Sequence, residues 1–402
     1  MKTLFLTNEY PPHIYGGAGV HVDYLTRELA KLCDVDVRCF GNQDVQTDRL
    51  RVRGASVDTS SYTAPKNLHS VFAALQRCLN FNTLDIDADI VHLHTWYSHL
   101  GGILAKLNYG IPMVLTVHSL EPLRPWKREQ LGGGYDFTVW LERTAIEMAD
   151  AVIAVSDDTR EDILRLFDVP AERLHVIPNG IDTDEYHLVH APEKLVALGI
   201  DPLRPYVLFV GRITRQKGII HLVNAIKHID PAHQIVLLAG APDTPEIAAE
   251  MKSAVAAARS AHPGGVVWVE HMVDSQTKIA AYSHAQVFCC PSIYEPFGII
   301  NLEAMACETP VVASAVGGMK EVVVHGETGL LVPVLQQNES PFEPIDPPMF
   351  AHDLAQAINH LMADAELRAK MAAAGRKRAV DCYSWTTVAN QVHGLYQDLL
   401  ER

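Results

Sequence analysis

Residues 285–314, AQVFCCPSIYEPFGIINLEAMACETPVVAS, contain the pattern that decides the fold. The apolar run VFCCPS predicts a strand, YEPFG predicts a loop, and the stretch that ends near Cys307 predicts a helix leading into a second strand, TPVVAS. A strand, a helix and a strand within about 30 residues form a βαβ unit, whose two strands pair in parallel. Two carboxylates, Glu295 in the loop and Glu303 in the helix, lie eight residues apart in this unit.

The same alternation extends along the 402-residue chain in two series of apolar runs. The first begins at KTLFLTN (2–8) and continues through VDVRCF, DIVHLHTW, PMVLTVHS and DAVIAVS to LHVIPNGID (174–182). The second begins at PYVLFVGR (205–212) and continues through QIVLLAG, VVWVEHM, AQVFCCPS and TPVVAS. Amphipathic stretches between the runs, such as residues 19–32, predict helices. The predicted fold class is therefore α/β, with two doubly wound, Rossmann-like domains.

We expect an amino-terminal domain of residues 1–185 and a carboxyl-terminal domain of residues 186–384, with a linker around 183–204. The polar, Pro-rich residues 336–348 predict a surface loop, and the amphipathic segment from Trp385 predicts a terminal helix. Two such domains facing one another would form a central cleft lined by the carboxyl ends of both sheets, where α/β proteins bind ligands.

The composition argues against several classes of function. A net charge of −15 without a long basic run disfavours nucleic acid and anionic membranes as partners. No apolar run is long enough to span a bilayer, and the first residues, MKTLFLTNEYPP, lack the features of a signal peptide. The seven cysteines are odd in number and show no C-x-x-C spacing, which predicts reduced thiols in a cytoplasmic protein.

Two cations follow the first strand of the second series, in FVGRITRQKGI (209–219). Arg212 and Lys217 lie five residues apart, with a glycine beside each of them. A guanidinium can bind two phosphate oxygens at once, and an ammonium supplies a mobile point charge. The segment therefore predicts a compact site for a diphosphate.

The two glutamates of the opening stretch are unsuited to act together on one proton. Eight residues are about 2.2 helical turns, so Glu295 and Glu303 would not stack even on an uninterrupted helix. The helix start at Gly298 lies between them. This arrangement suits a nucleotide sugar, with the sugar at one carboxylate, the phosphates at the helix N-terminus and the ribose hydroxyls at the other carboxylate.

Glycines and histidines mark further candidate positions in the first domain. Gly16 and Gly17 open the first helix, where backbone amides can approach an anion, although a turn without a ligand is equally compatible with the pattern. His92 and His94 share a strand face and His99 follows, but two histidines at i, i+2 with no nearby carboxylate or thiolate make a poor zinc set.

His118 ends a predicted strand and can donate a hydrogen bond to a sugar hydroxyl, or it can cap a loop. The D-x-D pattern in DIDADI (85–90) precedes a strand, so solvated acidic residues are the better explanation. We therefore predict no metal site in this chain.

These motifs together resemble the retaining glycosyltransferases of the GT-B fold, family 4, and within them the bacterial and archaeal-type glycogen synthases. The resemblance rests on NEYPPHIYGGAGVHV, HTWYS, FVGRITRQKG, EPFGIINLEA and ETPVVASAVGG, which occur in the family's order. The segment LRPWKREQLGGGY favours glycogen synthases over mannosyl- or sucrose-type relatives. The resemblance also implies that helix 385–402 joins the amino-terminal domain.

The resemblance implies a role for each candidate residue. Arg212 and Lys217 would hold the donor diphosphate in place of a metal ion, Glu295 would contact the transferred glucose, and His118 would bond its 6-hydroxyl. Further donor contacts would come from Gly16, Gly17, Phe297, Gly298, Ile299 and Glu303. Acceptor-side contacts would come from Tyr15, Trp96, Arg124, Lys127 and Tyr135.

The implied activity is that of a retaining α-1,4-glucosyltransferase, which moves glucose from ADP-glucose, or UDP-glucose, to a growing α-glucan. One alternative is transfer to glucose 1-phosphate, giving maltose 1-phosphate, for which the cations Arg124, Lys127 and Arg128 suit the acceptor phosphate unless they form a solvated loop. The pattern is also compatible with a sugar-nucleotide epimerase of the same fold, or with a carbohydrate-binding protein that has no activity. No cofactor or metal is expected, and a homo-oligomer is compatible with the sequence.

Overall fold

The two predicted strand series form two separate parallel sheets in the computed structural model, which describes residues 1–339 and 341–401. The chain divides into two compact units. Unit 1 comprises Met1–Gly180 and the segment that begins at Trp385, and unit 2 comprises Ile181–Ser384. The boundary thus falls inside the motif VIPNGID. The expected surface loop at 336–348 includes residue 340, which lies outside the described residues.

Unit 1 contains an eight-stranded sheet in the order β3-β4-β2-β1-β5-β6-β7-β8. All neighbouring strands pair in parallel except β3 and β4, which are antiparallel. The strands are β1 (Lys2–Leu6), β2 (Asp34–Phe40), β3 (Asp44–Gln46), β4 (Leu50–Ala55), β5 (Ile90–His94), β6 (Met113–Val117), β7 (Ala151–Ala154) and β8 (Leu174–Val176). Because β1 lies between β2 and β5, the strand order reverses at its carboxyl end, where doubly wound sheets bind ligands.

The helices of unit 1 cover this sheet. They are α1 (Gly17–Leu29), α2 (His69–Thr83), α3 (Trp96–Tyr109), α4 (Arg128–Leu131), α5 (Gly134–Met148) and α6 (Asp157–Leu166). Single turns of 3₁₀ helix occur at Lys66–Leu68, Glu121–Leu123, Pro125–Lys127 and Ala171–Arg173. The central strands β1, β5, β6 and β7 are almost wholly buried because helices pack on both faces of a parallel sheet.

Unit 2 contains a six-stranded sheet in the order β11-β10-β9-β12-β13-β14, with every pair parallel. Its strands are β9 (Tyr206–Arg212), β10 (Gln234–Gly240), β11 (Val266–Val269), β12 (Val287–Cys290), β13 (Val311–Ser314) and β14 (Gly329–Val332). Its helices are α7 (Pro192–Val196), α8 (Ile219–Ala225), α9 (Pro245–Ala261), α10 (Ser275–His284), α11 (Ile299–Ala306), α12 (Met319–Val322), α13 (Pro347–Ala363) and α14 (Ala365–Cys382), with a 3₁₀ turn at Ile226–His228.

The strand order of unit 2 reverses between β10 and β12, so the loops that follow β9 and β12 are neighbours. The loop after β9 carries the two predicted cations, and the loop after β12 carries Glu295. The topology therefore brings together residues that are about 80 positions apart in the sequence.

The last helix, α15 (Trp385–Leu400), belongs to unit 1. The Trp385 ring stacks on Tyr24 of α1 at 5.7 Å, and a Cβ atom on Gly180 would lie 2.5 Å from the indole. Tyr396 is fully buried, and its hydroxyl lies 2.5 Å from Nδ1 of His92 on β5. No helix in the described part of the chain is long and apolar enough to cross a membrane.

Candidate active site

An ion pair occupies the switch point of unit 2. Nζ of Lys217 lies 2.5 Å from Oε2 of Glu295, and the Ser292 hydroxyl donates to the same oxygen at 3.2 Å. Burial alone would lower the pKa of Lys217, but the charge of Glu295, the neighbouring Cys290 and the hydrogen bond to Glu295 together outweigh it and the pKa is raised. Lys217 therefore stays an ammonium at neutral pH. Its partner Glu295 is 7% exposed, so the ion pair is largely shielded from solvent.

Two glycines allow the loops to approach one another closely. Gly218 immediately precedes α8 with φ +58°, and a Cβ there would lie 2.1 Å from the carbonyl oxygen of Pro291. Gly298 immediately precedes α11 with φ +92°, a conformation that L-residues rarely adopt. Beside it, Phe297 is buried with its ring against Tyr383, and Ile299 is half-buried as the first residue of the helix.

Arg212, the second predicted cation, ends β9 and is about half exposed. Its Nη2 donates to Oδ1 of Asp243 at 2.6 Å. Asp243 lies three residues after β10, the next strand of the sheet, and the sequence analysis did not predict its role. A diphosphate bound by Arg212 would share the guanidinium with this carboxylate or replace it.

Glu303 has partners of its own on the neighbouring helix α10. Nζ of Lys278 lies 2.7 Å from Oε1, and the Tyr282 hydroxyl donates to Oε2 at 2.9 Å. Burial, followed by the charge of Glu303, raises the pKa of Tyr282 well above its usual value, so the phenol keeps its proton. Each of the two glutamates is thus paired with a different lysine. The sequence analysis did not predict Lys278 or Tyr282.

A cluster of histidines surrounds the predicted sugar contact in unit 1. His118 follows β6, and its Nε2 lies 3.0 Å from Nδ1 of His94, the last residue of β5. His21 of α1 packs its ring edge-on against His118 at 4.7 Å, and its Nδ1 lies 2.6 Å from Oδ1 of Asn179. Burial lowers the pKa of His21 to about 4 and the pKa values of His94 and His118 well below 6.5, so all three rings are neutral at pH 7.

The histidine grouping considered from the sequence differs from the one in the structure. His92 is bonded to Thr116 and Tyr396, so it is held by the core. Among the described residues, the set whose nitrogens could together hold a metal ion is His21, His94 and His118, with one ligand atom from each lying within 4.8 Å of the others. The sequence analysis missed His21, because a buried helical histidine has the same spacing as a core residue.

The glycine-rich loop before α1 is held by an internal carboxylate. The backbone N–H groups of Tyr15 and Gly16 both donate to Oε2 of Glu9, at 2.8 and 2.9 Å. The Tyr15 side chain is 66% exposed, and Gly17 begins α1. An anion that bound to these amides would have to displace Glu9.

The predicted acceptor-side cations lie in a buried network and not in a solvated loop. Nζ of Lys127 lies 2.7 Å from Oε1 of Glu121, and Arg124 lies 3.7 Å from the same oxygen. The backbone N–H of Glu121 donates to Glu142, and the Tyr135 hydroxyl donates to the carbonyl of Glu121. Of the two alternatives left open by the sequence, the solvated loop is therefore excluded for these two cations.

Burial and neighbouring charges shift the pKa values of this network in both directions. Burial would raise the pKa of Glu121, but Lys127 and Arg124 outweigh it and the pKa is lowered. Burial and the charge of Glu121 raise the pKa of Glu142 well above 4.5, which favours its neutral form. Burial and the charge of Arg124 lower the pKa of Lys127. The network therefore sets two basic side chains against one carboxylate with a lowered pKa and one with a raised pKa.

The two remaining acceptor-side candidates differ in exposure. Trp96, the first residue of α3, is 2% exposed and its ring stacks on Tyr97 at 4.1 Å. Arg128 is exposed and its guanidinium pairs with the exposed Asp136. Neither side chain belongs to the buried network of Glu121.

Two doubly wound sheets with a cationic site at a switch point are the architecture of the GT-B fold. Residues 15–185 match the family described as Glycosyltransferase Family 4, and residues 191–340 match Glycosyl transferases group 1. The chain belongs to these family 4 glycosyltransferases. The predictions of the GT-B fold and of glycosyltransferase activity are confirmed.

Three individual proteins indicate which glycosyltransferases the chain is similar to. The chain is 47% identical, over 405 residues and 99% of each sequence, to a protein of Mycolicibacterium smegmatis named alpha-maltose-1-phosphate synthase. It is 27% identical to a glycogen synthase of Mycobacterium tuberculosis, over 98% of this chain and 94% of the relative. Among solved structures, sucrose-phosphate synthase from Thermosynechococcus elongatus superposes over the whole of both chains with a TM-score of 0.78 and 26% identity.

Proposed function

We propose that the chain transfers glucose from a nucleotide-glucose to glucose 1-phosphate and forms maltose 1-phosphate with release of the nucleoside diphosphate. One observation carries the choice of acceptor. Identity to the relative named alpha-maltose-1-phosphate synthase is 47%, against 27% to the relative named glycogen synthase. The comparisons thus favour glucose 1-phosphate over a growing α-glucan as the acceptor.

The donor is proposed to bind in unit 2. Lys217 is a permanent cation at the switch point, and Arg212 offers a second, exposed one. Together they can neutralise a diphosphate, so no metal ion is proposed for this step. Glu303 would accept hydrogen bonds from the ribose hydroxyls, and Glu295 would accept one from a hydroxyl of the transferred glucose. ADP-glucose is favoured by the resemblance to bacterial glycogen synthases.

During transfer, the bond between glucose C1 and the diphosphate oxygen breaks, and a bond from C1 to O4 of the acceptor forms on the same face. The electron pair of the broken bond remains on the diphosphate, and the acceptor hydroxyl gives its proton to that leaving phosphate. Lys217 and Arg212 stabilise the charge that develops there, which is the kind of preorganised electrostatic contribution that dominates many enzymes. His118, neutral at pH 7, can hold a sugar hydroxyl without adding charge.

The acceptor phosphate is proposed to bind at the network of Arg124, Lys127 and Glu121. Its two basic side chains, Arg124 and Lys127, are a feature that a neutral glucan does not require. A phosphate would gain charge-assisted hydrogen bonds from Arg124, whose Nε has no described partner. The expectation of reduced thiols supports a cytoplasmic location.

The test is an acceptor panel with product analysis. The purified chain is incubated with ADP-glucose or UDP-glucose and either glucose 1-phosphate or glycogen, with and without EDTA. We expect nucleoside diphosphate release with glucose 1-phosphate and a phosphorylated disaccharide by ³¹P NMR, unaffected by EDTA. Efficient glycogen extension without a phosphorylated disaccharide would contradict the proposal.

A further inference from the structure

We propose that His21, His94 and His118 form a binding site for a divalent transition metal ion of the Zn²⁺ class, and that the bound ion inhibits sugar transfer. The three side chains come from α1, β5 and the loop after β6. One ligand nitrogen from each lies within 4.8 Å of the others. Zn–N bonds of about 2.0–2.1 Å place the ligand atoms of one ion roughly 3.3 Å apart. The histidine side chains must therefore move together by about 1.5 Å to coordinate one ion.

The hydrogen bonds around His21 leave a nitrogen available for coordination. Nδ1 of His21 donates to Oδ1 of Asn179, which leaves the lone pair on Nε2. Nε2 of His21 is buried and has no hydrogen-bond partner, and the same is true of Nε2 of His94. Metal-binding histidines usually donate their second nitrogen to a protein oxygen, as His21 does to Asn179. Unpartnered buried nitrogens are otherwise costly, which is the reason to expect a ligand here.

The chemistry of the three rings selects the ion. Three imidazoles without a carboxylate or thiolate suit Zn²⁺ or Co²⁺, and they suit Mg²⁺ or Ca²⁺ poorly. His118 is half-buried and the other two are buried, so the fourth position faces the accessible side of His118.

Inhibition is expected because His118 is proposed to hold a sugar hydroxyl during transfer, and this part rests on the proposed function. A nitrogen that coordinates a metal ion is no longer available to a sugar hydroxyl. Inhibition should therefore be relieved by a chelator. Metal binding itself requires no activity, so it can be measured separately from sugar transfer.

The binding test uses the tag-free, chelator-treated chain and Co²⁺, whose visible absorption reports tetrahedral coordination. We expect one Co²⁺ per chain with a tetrahedral band, and loss of that band in His118→Gln and His21→Gln. Asn179→Ala should weaken binding by about 10- to 100-fold, the usual effect of removing the partner of a metal ligand. His352→Gln is the matched control, because it removes one histidine of a surface pair with His228 and should leave the band unchanged.

Two outcomes would overturn the metal site: absence of a tetrahedral band, or unchanged affinity in His118→Gln, which changes a half-buried side chain and should fold. Circular dichroism of each metal-free variant checks its folding. In the second arm, Zn²⁺ should inhibit nucleoside diphosphate release over the range in which it displaces Co²⁺, and EDTA should restore the rate. Full activity at full occupancy would overturn the inhibition while leaving the proposed function intact.

Discussion

Replacing Lys217 by alanine should lower turnover by about 10²- to 10³-fold, the range measured when one preorganised transition-state donor is removed. The structure supports this size, because the ammonium is largely buried and lies at the switch point where the diphosphate is proposed to bind. At about 4 Å and an effective dielectric constant of 20, a unit charge pair is worth about 4 kcal/mol. Such an energy corresponds to about a thousandfold in rate.

The same substitution should destabilise unit 2. It leaves the carboxylate of Glu295, which is 7% exposed, with the Ser292 hydroxyl as a hydrogen-bond donor at 3.2 Å. Breaking a buried pair costs about 3–5 kcal/mol, and we expect the lower end because the Lys217 side chain is 22% exposed. Urea unfolding measures this cost, and single-turnover release of nucleoside diphosphate measures the chemical step.

Two variants separate the catalytic effect from the structural one. Lys217→Ala combined with Glu295→Gln removes the uncompensated charge, so stability should recover to within about 1 kcal/mol while turnover stays low. Lys278→Ala breaks the equivalent pair with Glu303, whose lysine is equally exposed, and should raise the KM for the donor more than it lowers kcat. Near-normal turnover in Lys217→Ala, or turnover that recovers together with stability, would refute the assigned role.

Three other substitutions test the remaining features. Gly218→Ala should prevent correct folding of unit 2, because its Cβ would lie 2.1 Å from a backbone carbonyl; a normal thermal unfolding midpoint would contradict this. Arg124→Gln should raise the KM for glucose 1-phosphate roughly 10- to 100-fold, the equivalent of one hydrogen bond to a charged group, with the donor KM unchanged. The pKa of Glu142 is raised in the folded chain, so its contribution to stability falls as pH rises above about 4.3 towards the folded pKa. Glu142→Gln should therefore gain stability relative to the original chain as the pH rises above about 4.3, and a pH-independent difference in urea unfolding would exclude this.

The fold could be predicted largely because parallel strands buried on both faces are continuous apolar runs. Every run named in the sequence analysis contains a strand of the structure. The strands β3, β4 and β14 were not predicted; β3 is exposed, and the segment LRVRGA of β4 alternates charged with apolar residues. β3 and β14 are edge strands, and β4 is the second strand of its sheet. Solvent permits polar side chains at the edge.

The predicted site residues and their partners differ in how the sequence encodes them. Arg212 ends a strand, and Lys217 and Glu295 lie in the loops after strands, so their position at the carboxyl end of a sheet could be predicted from the pattern alone. Asp243 and Lys278 could not, because their roles depend on which strands and helices are neighbours. Adjacency of that kind is set by packing across the sheet and has no local sequence signal.

The return of α15 to unit 1 has a consequence for synthesis of the chain. Residues 385–400 supply Trp385, Val392 and Tyr396 to the core beneath β1 and β5. A ribosome must therefore deliver all of unit 2 before unit 1 can complete its core. The usual order, in which the amino-terminal domain folds first during translation, is reversed for the last step here. Incomplete chains would expose the apolar surface of α1, which makes them ready substrates for chaperones and proteases.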